Sequence, residues 1–187
     1  SRKTYRLPNP FFVMATENPL EVSGVYTLPE AQIDRFLFKL FIKYPDNEEE
    51  KIILTQNISL KNFEDYKLKS VLSPRKILEL QDKVKKVFTS EAIKDYIVRI
   101  VEETRNKDLE YSKYVSYGAS PRASIALYIA SKAEALMDGR NFVTPNDVRV
   151  VVYPVLRHRI ILNYEAEAEK ISTDDVIKHV LRGISAP

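Results

Sequence analysis

The chain has 187 residues, 44% of them hydrophobic and 29% charged, with a formal net charge of +3. That is enough apolar material for one moderate domain or two small ones, and too little net charge to point to a nucleic-acid partner. The lack of cysteine excludes disulfides, thiolate catalysis and cysteine-based zinc sites.

The two histidines, His158 and His179, are too far apart for a local metal-ligand spacing, and no metal site is expected. No apolar run approaches the roughly 20 residues of a membrane span, and the polar, basic start does not read as a secretory signal. A cytoplasmic protein without a membrane partner is the expectation. Only four glycines occur, and neither GxxxxGK[ST] nor GxGxxG is present. A loop that cradles phosphates brings its backbone N–H groups close by means of glycines. By itself this chain is therefore expected to bind neither ATP nor magnesium.

Phe11-Phe12-Val13-Met14-Ala15 is a short apolar run bounded by Pro10 and Asn18-Pro19, which predicts a buried strand. Residues 29–36 predict a short helix opening on Pro29. A second strand is expected over residues 37–44, closed by Pro45. Beyond Pro45 the pattern is helical. Asp46 to Gln56 reads as a short helix with an acidic start, and residues 57–72 as irregular. Ser73-Pro74 opens a helix with Ile77, Leu80, Val84 and Val87 on one face. Ser90 opens another with Ile93, Ile97, Ile100, Val101 and Thr104 inward.

A polar linker is expected over 105–118. Ser120-Pro121 then caps a long helix with Ala126, Ile129, Ala130, Ala133 and Met137 as its buried face and Gly139 as its stop. Thr144-Pro145-Asn146-Asp147 starts a helix that Pro154 should end or kink. Ser172 starts the last one, with Val176, Ile177, Val180 and Leu181 inward and Gly183 at its end. Two strands alone cannot cover a sheet. Further chain before Ser1, or another piece, is expected to supply their neighbours.

Several blocks together resemble one family. Phe12-Val13-Met14-Ala15-Thr16-Glu17-Asn18-Pro19 is similar to the sensor-1 strand of MoxR-type AAA+ ATPases, and residues 28–36 are similar to the block that follows it. Gly118-Ala119-Ser120-Pro121-Arg122-Ala123 resembles the sensor-2 block of the lid. Asp138-Gly139-Arg140, residues 143–148 and residues 155–160 follow in family order. The resemblance runs from about Leu7 to the end and lacks the Walker A and Walker B segments. It implies a mainly α fold: a helical AAA+ lid bundle over 45–187, preceded over 1–44 by two strands and a short helix from an incomplete α/β core.

The resemblance also implies roles. Asn18 would be sensor 1, its amide aligning the attacking water; read alone, Asn18-Pro19 is a turn. Arg35 would be an arginine finger acting in trans on a neighbour's nucleotide; the alternative is a local ion pair with Glu30 or Asp34. Arg122, in the first turn of its helix, is unfavourable to the helix dipole. It would be the nucleotide-binding sensor 2, or else simply a solvated arginine. Arg157, His158 and Arg159 form a basic cluster that reads as structural or salt-bridging more readily than catalytic.

The function implied is that of an ATP-driven machine that remodels partner proteins, for instance to insert a metal or cofactor. Such a machine uses ATP and Mg in the complete protein, works in a ring of copies for which six is the expected number, and acts on an unidentified client. Two other readings stand beside it: a non-catalytic helical interaction module, and a DNA-linked motor, against which the modest charge argues.

Overall fold

The computed structural model describes residues 4–17, 28–56, 66–108 and 110–187. These divide into two compact units. One gathers residues 4–11, 40–56 and 66–79, the other residues 12–17, 28–39, 80–108 and 110–187.

The first unit holds α2 (Asn47–Gln56) and the opening turns of α3 (Pro74–Lys86). The Asp46 carboxylate accepts the amides of Glu48 and Glu49 at 3.0 and 2.8 Å, and Glu49 accepts the Asp46 amide at 3.0 Å. This reciprocal cap satisfies N–H groups that have no partner inside the helix. Ser73 does the same for α3 by accepting from the Lys76 amide.

The second unit carries a one-turn helix α1 (Glu30–Ile33), the rest of α3, then α4 (Glu91–Glu103), a 3₁₀ turn at Glu110–Tyr114, β1 (Val115–Tyr117) and α5 (Pro121–Met137). After these come α6 (Pro145–Leu156), β2 (Ile161–Leu162), α7 (Tyr164–Ala168) and α8 (Thr173–Gly183). α5 packs most extensively on α6, α4 lies against α5, and α8 closes on α6. Tyr96, Ile97, Ile100 and Val101 of α4 meet Leu127 of α5, Val148, Val152, Val155 and Leu156 of α6, and Ile177 and Val180 of α8 in one buried cluster. β1 and β2 pair antiparallel, with Val115 opposite Leu162 and Tyr117 opposite Ile161.

The mainly α architecture agrees with the pattern in the sequence, and so do the starts of α4, α5, α6 and α8. Ser90, Ser120 and Ser172 each accept an amide of their helix's first turn. The inward face of α4 is the expected one, Thr104 included.

Four expectations are corrected. Residues 11–17 and 38–46 carry no strand. Phe12, Met14 and Ile42 are 80%, 83% and 93% exposed. A strand exists only as part of a ladder, and among the described residues nothing pairs with these segments. In α5 the inward face is turned: Ala123, Leu127, Ser131, Lys132 and Ala135 are buried beside Ala126 and Ala130, while Ile129 and Met137 are exposed. α6 continues through Pro154 to Leu156, so of the two effects expected of that proline, an end to the helix at it is not the one seen. The supposed linker contains the 3₁₀ turn and β1.

The join between α5 and α6 shows how tightly the second unit is closed. Gly139 has φ 75°, where a side chain would be strained, and it lets the Arg140 amide reach Ala135 O at 2.8 Å and the Gly139 amide reach Leu136 O at 3.0 Å. The Asp147 carboxylate, fully buried, then accepts the Thr144 amide at 2.7 Å, the Thr144 hydroxyl at 2.9 Å and both ends of the Arg140 fork. Burial pushes the Asp147 carboxyl up, but the hydrogen bonds from Arg140 and Thr144 outweigh it and the net shift is down.

Lys132, also buried, donates its Nζ to Lys85 O at 2.7 Å and so places a cation on the last turn of α3. Gly118 lies where α4 ends: a Cβ there would meet Thr104 O at 2.3 Å. Gly183, by contrast, has nothing within 4 Å of such an atom.

Asp147→Ala should destabilise the chain by about 3 kcal/mol, because it takes the buried counter-charge from Arg140 and leaves the Thr144 N–H without its acceptor. Asp138→Ala, which removes only the exposed partner of Arg140, should cost less than about 0.5 kcal/mol. Urea denaturation of the two variants measures the difference, and equal midpoints would refute it.

Candidate functional site

α1 is a single turn built on Pro29, whose carbonyl accepts the amides of Gln32 and Ile33 at 2.8 and 3.1 Å. The turn continues as Asp34 N–H reaches Glu30 O, Arg35 N–H reaches Gln32 O and Phe36 N–H reaches Ile33 O. Residues 34–39 then run beside the end of α6, where the Lys39 amide donates to Pro154 O at 2.8 Å. That carbonyl belongs to the last turn of α6, which has no helical donors left for it.

The contact is organised by Arg159, whose side chain is 3% exposed. Its Nε donates to Asp34 Oδ1 at 3.0 Å. Nη2 donates to the carbonyls of Asp34 at 3.0 Å and Phe36 at 2.6 Å, and Nη1 to Leu37 O at 3.2 Å and to Val155 O. A guanidinium has five N–H donors, and these five contacts use all of them. Burial lowers the Arg159 pKa, and the charge of Asp34 acts in the other direction. The group stays charged, as arginine does.

The other oxygen of Asp34 faces α5. Oδ2 accepts the Ser120 hydroxyl at 2.9 Å and lies 3.6 Å from Arg122 Nη1. Ser120 itself accepts the Arg122 amide. Asp34 therefore supplies the negative charge that the first turn of α5 lacks, and it offsets the misplaced positive charge of Arg122. The start of α5 is held from behind as well: the Thr104 hydroxyl accepts the Ala119 amide at 3.0 Å and donates to Val101 O.

Arg122 and Arg35 remain outward. The Arg122 side chain is 54% exposed, touching Asp34 along one edge. Arg35 is exposed, and among the described residues its side chain has neither a hydrogen bond nor an ion pair. Asp34 is occupied by Ser120, Arg122 and Arg159, so the local ion pair considered for Arg35 is not formed with it. Asn18 lies outside the described residues. The region thus sets one exposed arginine, Arg35, on a turn whose Asp34 carboxylate holds the start of α5 and its half-exposed Arg122. That charge and donor set fits phosphate oxygens. Among the described residues no group of three or more His, Cys, Asp or Glu side chains could hold a metal ion.

The basic cluster after Pro154 separates into three roles. Arg157 forks onto Asp174 with both bonds at 2.7 Å. His158 Nε2 meets Phe36 O at 3.0 Å, so this nitrogen carries the proton, and Nδ1 is buried without a partner among the described residues. Arg159 is the buried clamp. The sequence carried a signal for it: Arg159 falls four residues after Val155 and eight after Val151, on the inward stripe of α6. A charge in that register requires a counter-charge.

Burial lowers the pKa of His158 below its ordinary 6.5, with the Phe36 carbonyl only partly opposing. As the pH falls through 6.5, the unfolded chain takes up a proton there before the folded chain does, so stability decreases with falling pH. His158→Gln, which keeps a donor for Phe36 O, should flatten the loss of stability between pH 7.5 and 5.5. Urea midpoints at the two pH values test this; an unchanged pH dependence would overturn it.

Comparison with known proteins agrees with this arrangement. Residues 109–180 match the family model of the AAA lid domain, and residues 1–38 match that of the ATPase family associated with various cellular activities (AAA). The chain is 43% identical to the chaperone MoxR1 of Mycobacterium tuberculosis over 99% of its own length and 49% of that protein. It is 40% identical to the uncharacterised protein YeaC of Bacillus subtilis, over 98% of this chain and 55% of that one. A crystal structure from Cytophaga hutchinsonii ATCC 33406, of a protein assigned as an ATPase, superimposes with a TM-score of 0.85 at 41% identity, covering 98% of this chain and 56% of that one. The chain spans about half the length of the curated relatives it matches. With two family models and these relatives in agreement, the chain belongs to the MoxR-type AAA+ ATPases and carries the lid domain of that family.

Proposed function

We propose that this chain works as part of an ATP-hydrolysing machine that remodels other proteins, with residues 1–44 belonging to the AAA+ core and residues 45–187 forming the lid. The observation that carries the reading is the Asp34 carboxylate, which stands next to Arg35 in sequence and 3.6 Å from Arg122 in space. It sets the start of α5 against the turn that carries Arg35, which supports a role for both arginines in meeting nucleotide phosphates. In this reading Arg35 is the arginine finger, donated across the boundary between two copies in a ring of six, and Arg122 is sensor 2, contacting nucleotide phosphates and coupling the lid's position to the nucleotide's state. Asn18 serves as sensor 1, orienting the water that attacks.

ATP is the substrate, and magnesium ligands come from outside the described residues. Arg35 and Arg122 would meet phosphate oxygens, and neither has to abandon a buried partner to do so. Charge that builds on the equatorial oxygens during transfer is what a guanidinium placed there stabilises. The relative named a chaperone supports a protein client, and insertion of a metal or cofactor into that client is the purpose we favour. Among the described residues no helix is long and apolar enough to cross a membrane; work in the cytoplasm is part of the same proposal.

In a protein of the relatives' full length, Arg35→Ala should leave ATP affinity nearly intact and lower turnover by about 10³–10⁵-fold. Mixing it with a variant that keeps Arg35 but lacks the phosphate-gripping lysine should restore part of the activity, since some boundaries then combine an intact pocket with an intact finger. Normal hydrolysis by Arg35→Ala, or loss of ATP binding in step with activity, would sink the finger assignment. For Arg122→Ala the expected defect includes weaker ATP binding, read by calorimetry.

A further inference from the structure

We propose that Arg159 is the positioning residue for Arg35, fixing the backbone on both sides of it; this rests on Arg35 being the finger. Arg159 donates to the carbonyls of residues 34, 36 and 37 and to the Asp34 carboxylate, so its contacts bracket Arg35 without touching its side chain. Arg35 has no side-chain partner of its own among the described residues. What the fold fixes for it is therefore the place of its Cα and Cβ, set by the peptide planes around it. Three of those planes are oriented by one rigid fork, whose remaining Nη1 contact, to Val155 O, roots it in α6.

Arg159 is unsuited to meeting a nucleotide itself. It is nearly fully buried, its donors are all engaged, and its charge is balanced by Asp34. Two neighbouring bonds reinforce the same strip of chain, His158 to Phe36 O and the Lys39 amide to Pro154 O. The planar, five-donor set is also specific to arginine. A lysine at 159 would keep the charge, but its three donors diverge from a point and cannot serve acceptors spread around a plane. A misplacement of about 1 Å in a catalytic group costs about 10²-fold in rate, which sets the scale of the expected effect.

The test uses the full-length protein with Arg159→Lys and Arg35→Ala in parallel. Arg159→Lys should lower kcat by about 10²-fold with KM for ATP nearly unchanged. Mixing with the variant lacking the phosphate-gripping lysine should restore activity, as for Arg35→Ala. Amide exchange adds a direct reading: the Lys39 N–H should lose protection in Arg159→Lys while the Ile97 N–H in α4 keeps it. Wild-type turnover by Arg159→Lys, or a loss that mixing does not restore, would overturn the proposal. If Arg159→Lys does not fold, Asp34→Asn removes the counter-charge while keeping the volume, and it should show the same kcat defect and the same rescue; a defect without rescue again overturns it. Normal hydrolysis by Arg35→Ala would instead remove the finger reading, and the Lys39 exchange would still report whether Arg159 fixes the turn.

Discussion

Burying a guanidinium is costly unless its charge is balanced and every N–H is bonded. Arg159 meets both conditions by drawing Asp34 and three carbonyls of the α1 exit onto the end of α6. Much of the candidate site follows from that requirement. Because Asp34 gives one oxygen to Arg159, only the other is left for α5, and there it takes the Ser120 hydroxyl and approaches Arg122. The geometry at the start of α5 is thus inherited from a charge buried at the end of α6, although the two positions are 37 residues apart by number.

The same economy appears at the α5–α6 join. Asp147 and Arg140 are buried or half-buried and mutually satisfied, and a positive-φ glycine lets the chain turn tightly enough to bring them together. Both sites use a carboxylate to hold a backbone turn in place. The first leaves cationic groups facing outward, whereas the second leaves none of its charge to spare.

What the sequence made legible was mostly local. Ser90, Ser120 and Ser172 announce their helices because a cap acts within three residues of itself. The inward stripe of α4 is readable because its other face is polar. α5 is apolar or small on nearly every side, so periodicity gave no preference, and its buried face could be settled only by the packing of α4 and α6. β1 and β2 have three and two residues and depend on pairing across more than 40 positions, which no local pattern encodes. Pro154 lies near the helix end, where the carbonyl it leaves unserved, on half-exposed Val150, can face water. The runs around Phe12 and Ile42 kept their apolar character but formed no ladder, since a strand needs a partner that neither run can supply. In the candidate site, Arg35 and Arg122 came from resemblance, whereas the tie of Asp34 to the start of α5, and the clamp behind it, is tertiary.

Two glycines that look alike in the sequence differ greatly in how much they specify. At Gly118 the first carbon of any side chain would overlap Thr104 O, so the position admits one residue out of twenty and acts as a strict filter on the chain's possible variants. At Gly183 nothing stands within reach, and an alanine would suit the end of α8 somewhat better. Random substitution would therefore be purged at the first and drift freely at the second. The information that keeps β1's exit against α4, and with it the start of α5, resides in the absence of a single carbon atom.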